Sequence, residues 1–199
     1  MQTVILSLDQ SLTHTGYACI ASDGTNWYWF ETGIIKPKQK GIHRLQFIQF
    51  ELKQIISRLQ PVFLSRELHN HAIMGNANGL HELNGVIDLL AYDFRYIESN
   101  SYSRIPSGMW KKYCLGKGNI SKDTSYMMKI NSCIQSSLDF VKDPKCIVQN
   151  ITDDNIGDAV CMALTTIAIQ KKKSGKFKGT KIQEDSLKDY QKCISYGDE

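Results

Sequence analysis

The chain has no CxxC pair: its six cysteines, Cys19, Cys114, Cys133, Cys146, Cys161 and Cys193, are scattered. That excludes a zinc ribbon and a thioredoxin-like motif and leaves free thiols in a reducing compartment as the expectation. No stretch approaches the roughly 18 consecutive apolar residues of a membrane span. The opening MQTVILSLDQ has no basic segment and reaches an aspartate almost at once, so it does not read as a signal peptide, and a cytosolic protein is expected. Internal repeats are absent too, which removes solenoids and propellers. With 199 residues the chain can bury one proper core and falls short of two full-sized domains. Charge of one sign is scarce overall, at a net +4, but it is unevenly placed. From Lys171 onward eight lysines face five acids, and six of those lysines fall between Lys171 and Lys181. Such a basic arm suits a polyanion such as DNA, although a solvated tail would look the same.

The pattern that is present alternates short β-prone runs with helical periods. TVILSLD is a β-branched run ending in an acid; the turn-prone SLTHTG leads to YACIA, and NWYWFETGII completes an antiparallel meander. Leu45, Ile48, Leu52, Ile55, Ile56 and Leu59 recur at three- and four-residue steps and predict a helix from Ile42 that Pro61 stops. PVFLSREL predicts a fourth strand. Helical spacing resumes through Leu80, Leu83, Val86, Ile87 and Leu90 to about Arg95, followed by a strand near Phe94 to Ser99 and a helix begun by Pro106. GKGNISK reads as a loop, with Ser121 capping a helix to about Gln135. Asp153 or Asp154 caps a last core helix with Ile156, Val160, Ala163, Leu164 and Ile167 on its apolar face. These elements predict an α/β fold with a five-stranded mixed sheet flanked by helices over residues 1–170. Residues 171–199 form a basic extension with a short polar helix near Glu184 to Cys193.

Acids at strand ends and on a facing helix are what metal-assisted phosphodiester hydrolysis requires, because two divalent ions about 4 Å apart must clamp the attacking and leaving oxygens. Asp9 ends the first strand, Glu67 lies near the end of PVFLSREL, and Asp154 and Asp158 sit on the last core helix. Taken singly, Asp9 could start a turn, Glu67 could be a surface residue and Asp154 could be only a helix cap. Asp158 is harder to read so, because the small and apolar residues around it imply a helix packed closely with its acid aimed at a site.

Four segments together resemble the RuvC-type Holliday junction resolvases of the RNase H-like superfamily, phage-encoded members above all. ILSLDQSLTHTGYACI is similar to the first motif, PVFLSRE to the second, WKKYCLGKGNISK to the segment after the fifth strand, and DDNIGDAVCMAL to the last; they occur in family order. The resemblance implies a structure-selective endonuclease of four-way junctions and related branched DNA, using Mg²⁺ or Mn²⁺ as a pair of ions. By position it makes Asp9, Glu67 and Asp158 metal ligands, with Asp154 completing the set, and places Lys122 near the scissile phosphate. Lys111 would contact DNA backbone, Lys112 and Lys117 would add phosphate contacts, and His69, Asn70 and His71 fall where resolvases reach into the junction centre. Those three letters do not by themselves make an HNH nuclease, which needs a ββα metal fold. The resemblance also implies a homodimer through the helix from about Gly79 to Arg95.

The chain departs from the family pattern in one place. The usual D-x-x-D spacing puts Asn155, not an acid, three residues before Asp158, while Asp154 lies four before it. Both positions share a helix face with Asp158, so the ligand roles of Asp153, Asp154 and Asn155 stay open. An actin-like ATPase, whose phosphate loop also looks like a strand, an Asp and a short turn, needs two related domains and roughly twice this length. A relaxed branched or flap nuclease, and a non-catalytic DNA-binding module, remain as alternatives.

Overall fold

The computed structural model describes residues 3–22, 27–69, 78–138 and 151–193. Strands β1 (Thr3–Asp9), β2 (Thr15–Ser22) and β3 (Trp27–Ile35) form an antiparallel meander, followed by helix α1 (Gly41–Leu59), β4 (Phe63–Leu68) and α2 (Asn78–Asp93). β5 (Tyr102–Pro106), α3 (Ser107–Leu115), α4 (Tyr126–Leu138), α5 (Asp154–Lys173) and α6 (Lys181–Ser186) complete the order, with a 3₁₀ turn at Tyr190–Lys192. The sheet order is β3-β2-β1-β4-β5, with β1 antiparallel to β2 and parallel to β4, and β4 parallel to β5. The expected five-stranded mixed sheet is therefore present, with β1 at its centre.

Strand alternation divides the core into two layers. Leu6, Leu8, Cys19 and Leu64 face α1 and α2, whose buried Ile48, Leu52, Leu83, Ile87 and Leu90 complete one cluster. Ile5, Ala18, Ile20 and Ile105 face the other way, toward α3, α4 and α5. All six apolar positions that predict α1 are buried in it. Burying each such side chain contributes about 1.5–3 kcal/mol, which outweighs the helix propensity of any one residue. α1 ends with Gln60 in the left-handed region and Pro61 beyond it.

Helix α5 exceeds the one-sided pattern expected of it. Every residue from Gly157 to Ile169 is buried, because α5 lies across the sheet and is covered by α3 and α4. A helix enclosed on all sides loses the polar face that marks its period. It also continues through the composition break at Lys171, and Leu187 and Cys193 are buried in the same cluster as its side chains.

Three expectations are corrected. Residues 94–100 are successive turns rather than a strand: Arg95 and Asn100 adopt positive φ, and the β-prone Tyr96 is buried with its hydroxyl donating to the Pro61 carbonyl. The fifth strand begins only at Tyr102. Ser121 does not cap α4, which starts at Tyr126; the Ser121 hydroxyl donates to Asp123, whose carboxylate accepts from the Ser125 N–H. The polar helix of the tail spans Lys181–Ser186, set by a capping box between Thr180 and Gln183.

Candidate active site

Two strand ends and one helix start converge at the carboxyl edge of β1 and β4. Ser7 pairs with Ser65 and Leu8 with Arg66, so the next rung sets Asp9 beside Glu67. Alternation sends both acids to the α5 side of the sheet, while Gln10 and Arg66 turn toward α2. Beneath the acids the buried hydroxyls of Ser7, Ser65 and Thr166 hydrogen-bond in series, tying α5 to the two strands. Close approach of α5 depends on Gly16 of β2: a Cβ there would lie 2.3 Å from the Asn155 carbonyl oxygen. The glycine of the TGY segment thus lets the start of α5 rest on the sheet, which brings Asp158 over Asp9.

Asp9 is 9% exposed and Asp158 3%. Burial, then the charges of Asp158 and Glu67, push the Asp9 carboxyl from 3.8 up to about 8. Burial raises Glu67 and Asp158 as well; Lys111 opposes it at Glu67, and a hydrogen bond from Tyr126 opposes it at Asp158. Lys122 reaches in from the loop between α3 and α4, its Nζ 2.7 Å from Asp154 Oδ2 and 2.9 Å from Asp158 Oδ2. Burial disfavours its charge, yet the two aspartates hold the ammonium above its ordinary range. Asp154, hydrogen-bonded by Lys122, is held below the usual carboxylate range.

Residues 153–155 differ in what their side chains touch. Asp153 is the N-cap of α5, its side chain accepting from the Asn155 and Ile156 N–H groups. The Asn155 amide donates to Asp153 and is thereby turned along the cap. Of the three, Asp154 alone shares a cation with Asp158.

The remaining site residues of the sequence reading do not all lie at the acids. Lys111 lies over the Trp110 ring and close enough to act on both Glu67 and Asp158. Asp185 of α6 is held down first by Lys188 and more weakly by Lys112, which is near enough to act on its charge. Lys117 is exposed on the loop after Gly116, whose φ of +80 ends α3 in the left-handed region that glycine adopts without strain. The Nε2 of His69 is 3.5 Å from Glu67 Oε2, placing it in the acid cluster. Asn70 and His71 lie outside the described residues. The lysine run begins at the far end of α5, roughly 20 Å along the helix from Asp158 at about 1.5 Å per residue.

Sequence reasoning missed three residues of this neighbourhood. Tyr126 hydrogen-bonds Asp158 and is buried. Trp110 is buried with its indole beside Glu67, where it opposes the upward push of burial on that carboxyl. Gln10, next to Asp9, bonds to the backbone of Glu67. A polar residue beside a strand-end acid was the available signal for Gln10; the two aromatics look like ordinary core.

The cluster gathers four carboxylates against two lysines. Among the described residues no three His, Cys, Asp or Glu side chains form a closed ion-binding set as they stand. The fit to a hard cation lies in the donor chemistry: buried oxygens whose mutual repulsion only added positive charge relieves.

This architecture has known counterparts. Thermus thermophilus RuvC superposes with a TM-score of 0.64 at 14% identity, covering 87% of this chain and 98% of that one. The fold is that of RuvC. The same protein in complex with a Holliday junction substrate superposes at 0.63 and 15% identity, covering 87% and 97%. The yeast mitochondrial Holliday junction resolvase reaches 0.57 at 9% identity over 96% of this chain and 84% of its own. No family model matches the sequence, and no curated protein matches it. At such identities the likeness lies in the course of the backbone, with few side chains in common.

Proposed function

We propose that the chain is a divalent-metal-dependent endonuclease that cleaves four-way DNA junctions. The observation that carries this reading is the convergence of Asp9, Glu67 and Asp158 from three elements onto one edge of the sheet, with Asp9 pushed up to about 8 by its acidic neighbours and burial. Buried like charges with raised pKa values cluster at functional sites, where a cation is the group that relieves their repulsion. The RuvC-like fold supports the substrate class, since T. thermophilus RuvC binds a Holliday junction substrate.

Asp9, Glu67 and Asp158 would hold Mg²⁺ or Mn²⁺, with Asp154 at the rim; all-oxygen donors suit hard ions. Two ions bound there would activate water and stabilise the leaving oxygen. Lys122 holds Asp154 below its ordinary range and opposes the burial that raises Asp158; once displaced from them, it would be within reach of a phosphate at the same edge. Tyr126 fixes one oxygen of Asp158, leaving the other to face the site. Lys111 adds positive charge on the Glu67 side, and Lys112, Lys117, Asn70 and His71 would contact DNA.

Symmetric cutting of a junction calls for two sites related by a two-fold axis, and a second copy on α2 would supply the other. Leu89 and Tyr92 of α2 and Ile42 of α1 are exposed, and Ile42, Leu45, Val86 and Leu89 line an open groove of about 720 Å³ between the helices. Exposed apolar patches of this kind mark association sites.

Cleavage of a labelled four-way junction beside linear duplex and flap DNA, with Mg²⁺, Mn²⁺ or chelator, tests the proposal. Paired nicks at the junction that need metal are expected. Equal cutting of flaps would make it a broader branched-DNA nuclease, and binding without cutting in either metal would overturn the enzymatic reading.

A further inference from the structure

Gln10 is 3% exposed and polar, and its side chain lies on the α2 side of the sheet, away from the Asp9 and Asp158 carboxylates. Its amide is nevertheless fully engaged. Oε1 accepts from the Glu67 N–H at 3.2 Å, and Nε2 donates to the Glu67 carbonyl at 2.7 Å. A side-chain amide that both donates to and accepts from one residue does what a facing strand residue does, so Gln10 extends the β1–β4 ladder by one rung after the backbone of β1 has turned away. The paired bonds also fix which end of the amide is nitrogen, since a flipped Gln10 would set oxygen against the Glu67 carbonyl.

The same Nε2 reaches Asn84 Oδ1 of α2 at 3.0 Å and His69 Nδ1 at 3.0 Å. The two amide hydrogens serve three neighbours, so Gln10 ties the His69 ring, whose Nε2 faces Glu67, to the Glu67 peptide and to α2. A second fastening runs in parallel. Arg66 Nη1 donates to the Glu67 carbonyl at 2.9 Å, and the guanidinium is gripped by Asp88 at 3.0 and 3.1 Å. Asn84 and Asp88 are four residues apart, on one face of α2. The Glu67 peptide is therefore held from α2 by two buried polar links while its carboxylate looks the other way, across the sheet.

We propose that Gln10 is a positioning residue for the metal site: with Asn84 it sets the Glu67 peptide and the His69 ring, and so the direction of the Glu67 carboxylate. This rests on the metal-nuclease reading above. Groups that orient a ligand in this way alter metal affinity by about 10- to 100-fold when removed.

The test is Mn²⁺ affinity of the DNA-free protein, followed by electron paramagnetic resonance well below the melting temperature, for wild type, Gln10→Ala, Asn84→Ala and the core variant Ile48→Ala. Gln10→Ala is expected to weaken Mn²⁺ binding at least tenfold, and Asn84→Ala to fall between it and wild type. Ile48→Ala, which lowers stability by truncating an apolar side chain of the α1 layer without removing a hydrogen bond to Glu67, keeps wild-type affinity. Wild-type Mn²⁺ affinity in Gln10→Ala, or equal weakening by Ile48→Ala, overturns the proposal while leaving the nuclease reading intact. Failure of the wild type to bind Mn²⁺ overturns both.

Discussion

Asp9 titrates near 3.8 in an unfolded chain and at about 8 in the folded one. A carboxyl raised on folding contributes stability that is full below about pH 4 and is lost as pH rises through 8. The metal-free protein should therefore melt progressively lower between pH 4 and pH 8, and Asp9→Asn should recover that loss. Scanning calorimetry at pH 8 is expected to show a higher Tm for the variant, by about 2–4 °C for each kcal/mol gained, with little difference at pH 4. A variant less stable than wild type at pH 8 would mean that Asp9 is satisfied where it lies. Divalent ions should bind more tightly as pH rises toward 8, because binding must expel the Asp9 proton. At Asp158 the expectation concerns orientation: Tyr126→Phe removes one hydrogen bond to a charged group, about 1.5–3 kcal/mol, and should weaken Mn²⁺ binding by about tenfold with the fold retained. The acids were legible as acids at strand ends. Their partners were not, because Tyr126 and Trp110 reveal themselves only through what α4 and α3 pack against, and packing has no one-dimensional trace.

Among the elements, α5 decides the site, since its first turns carry Asp154 and Asp158 onto the sheet. Its contact with β2 is set by Gly16, whose replacement by Ala would drive a Cβ into the Asn155 backbone. Gly16→Ala should cost about 1–3 kcal/mol in denaturant unfolding and depress cleavage further than that loss of stability explains. A neutral effect would show that α5 can shift without disturbing the acids. Sequence periodicity located α1 to within one residue because one face of that helix is wet. It failed at residues 94–100, where β-prone Tyr96 and Ile97 are needed for burial under turns, and at the start of α4, where Asp123 rather than Ser121 organises the entry. Local propensity loses wherever a tertiary contact is worth more than the fraction of a kcal/mol it expresses.

For the whole molecule, the two faces of α2 have separate tasks. One holds the Glu67 peptide through Asn84 and Asp88; the other leaves Leu89 60% exposed. If that outer face receives a second copy, sedimentation should find a dimer that Leu89→Glu converts to monomer, with single nicks replacing paired ones at a junction. A Leu89→Glu protein that stays dimeric would move the interface elsewhere. The α/β class, the mixed five-stranded sheet and the order of the chemistry-bearing segments were all readable from the chain. Placement of the lysine run was not: its charge suggested only a polyanion partner, and it is the length of α5 that sets it at the end of the helix away from the acids, with Lys172 3.7 Å from Glu184 of α6.

The central claim is that this acid cluster cuts junction DNA, and it is tested most directly by comparing wild type with Asp9→Asn on one labelled four-way junction in Mg²⁺ and in Mn²⁺. The account predicts that both proteins bind the junction and that only wild type introduces paired nicks. Cutting by Asp9→Asn at the wild-type rate would contradict it.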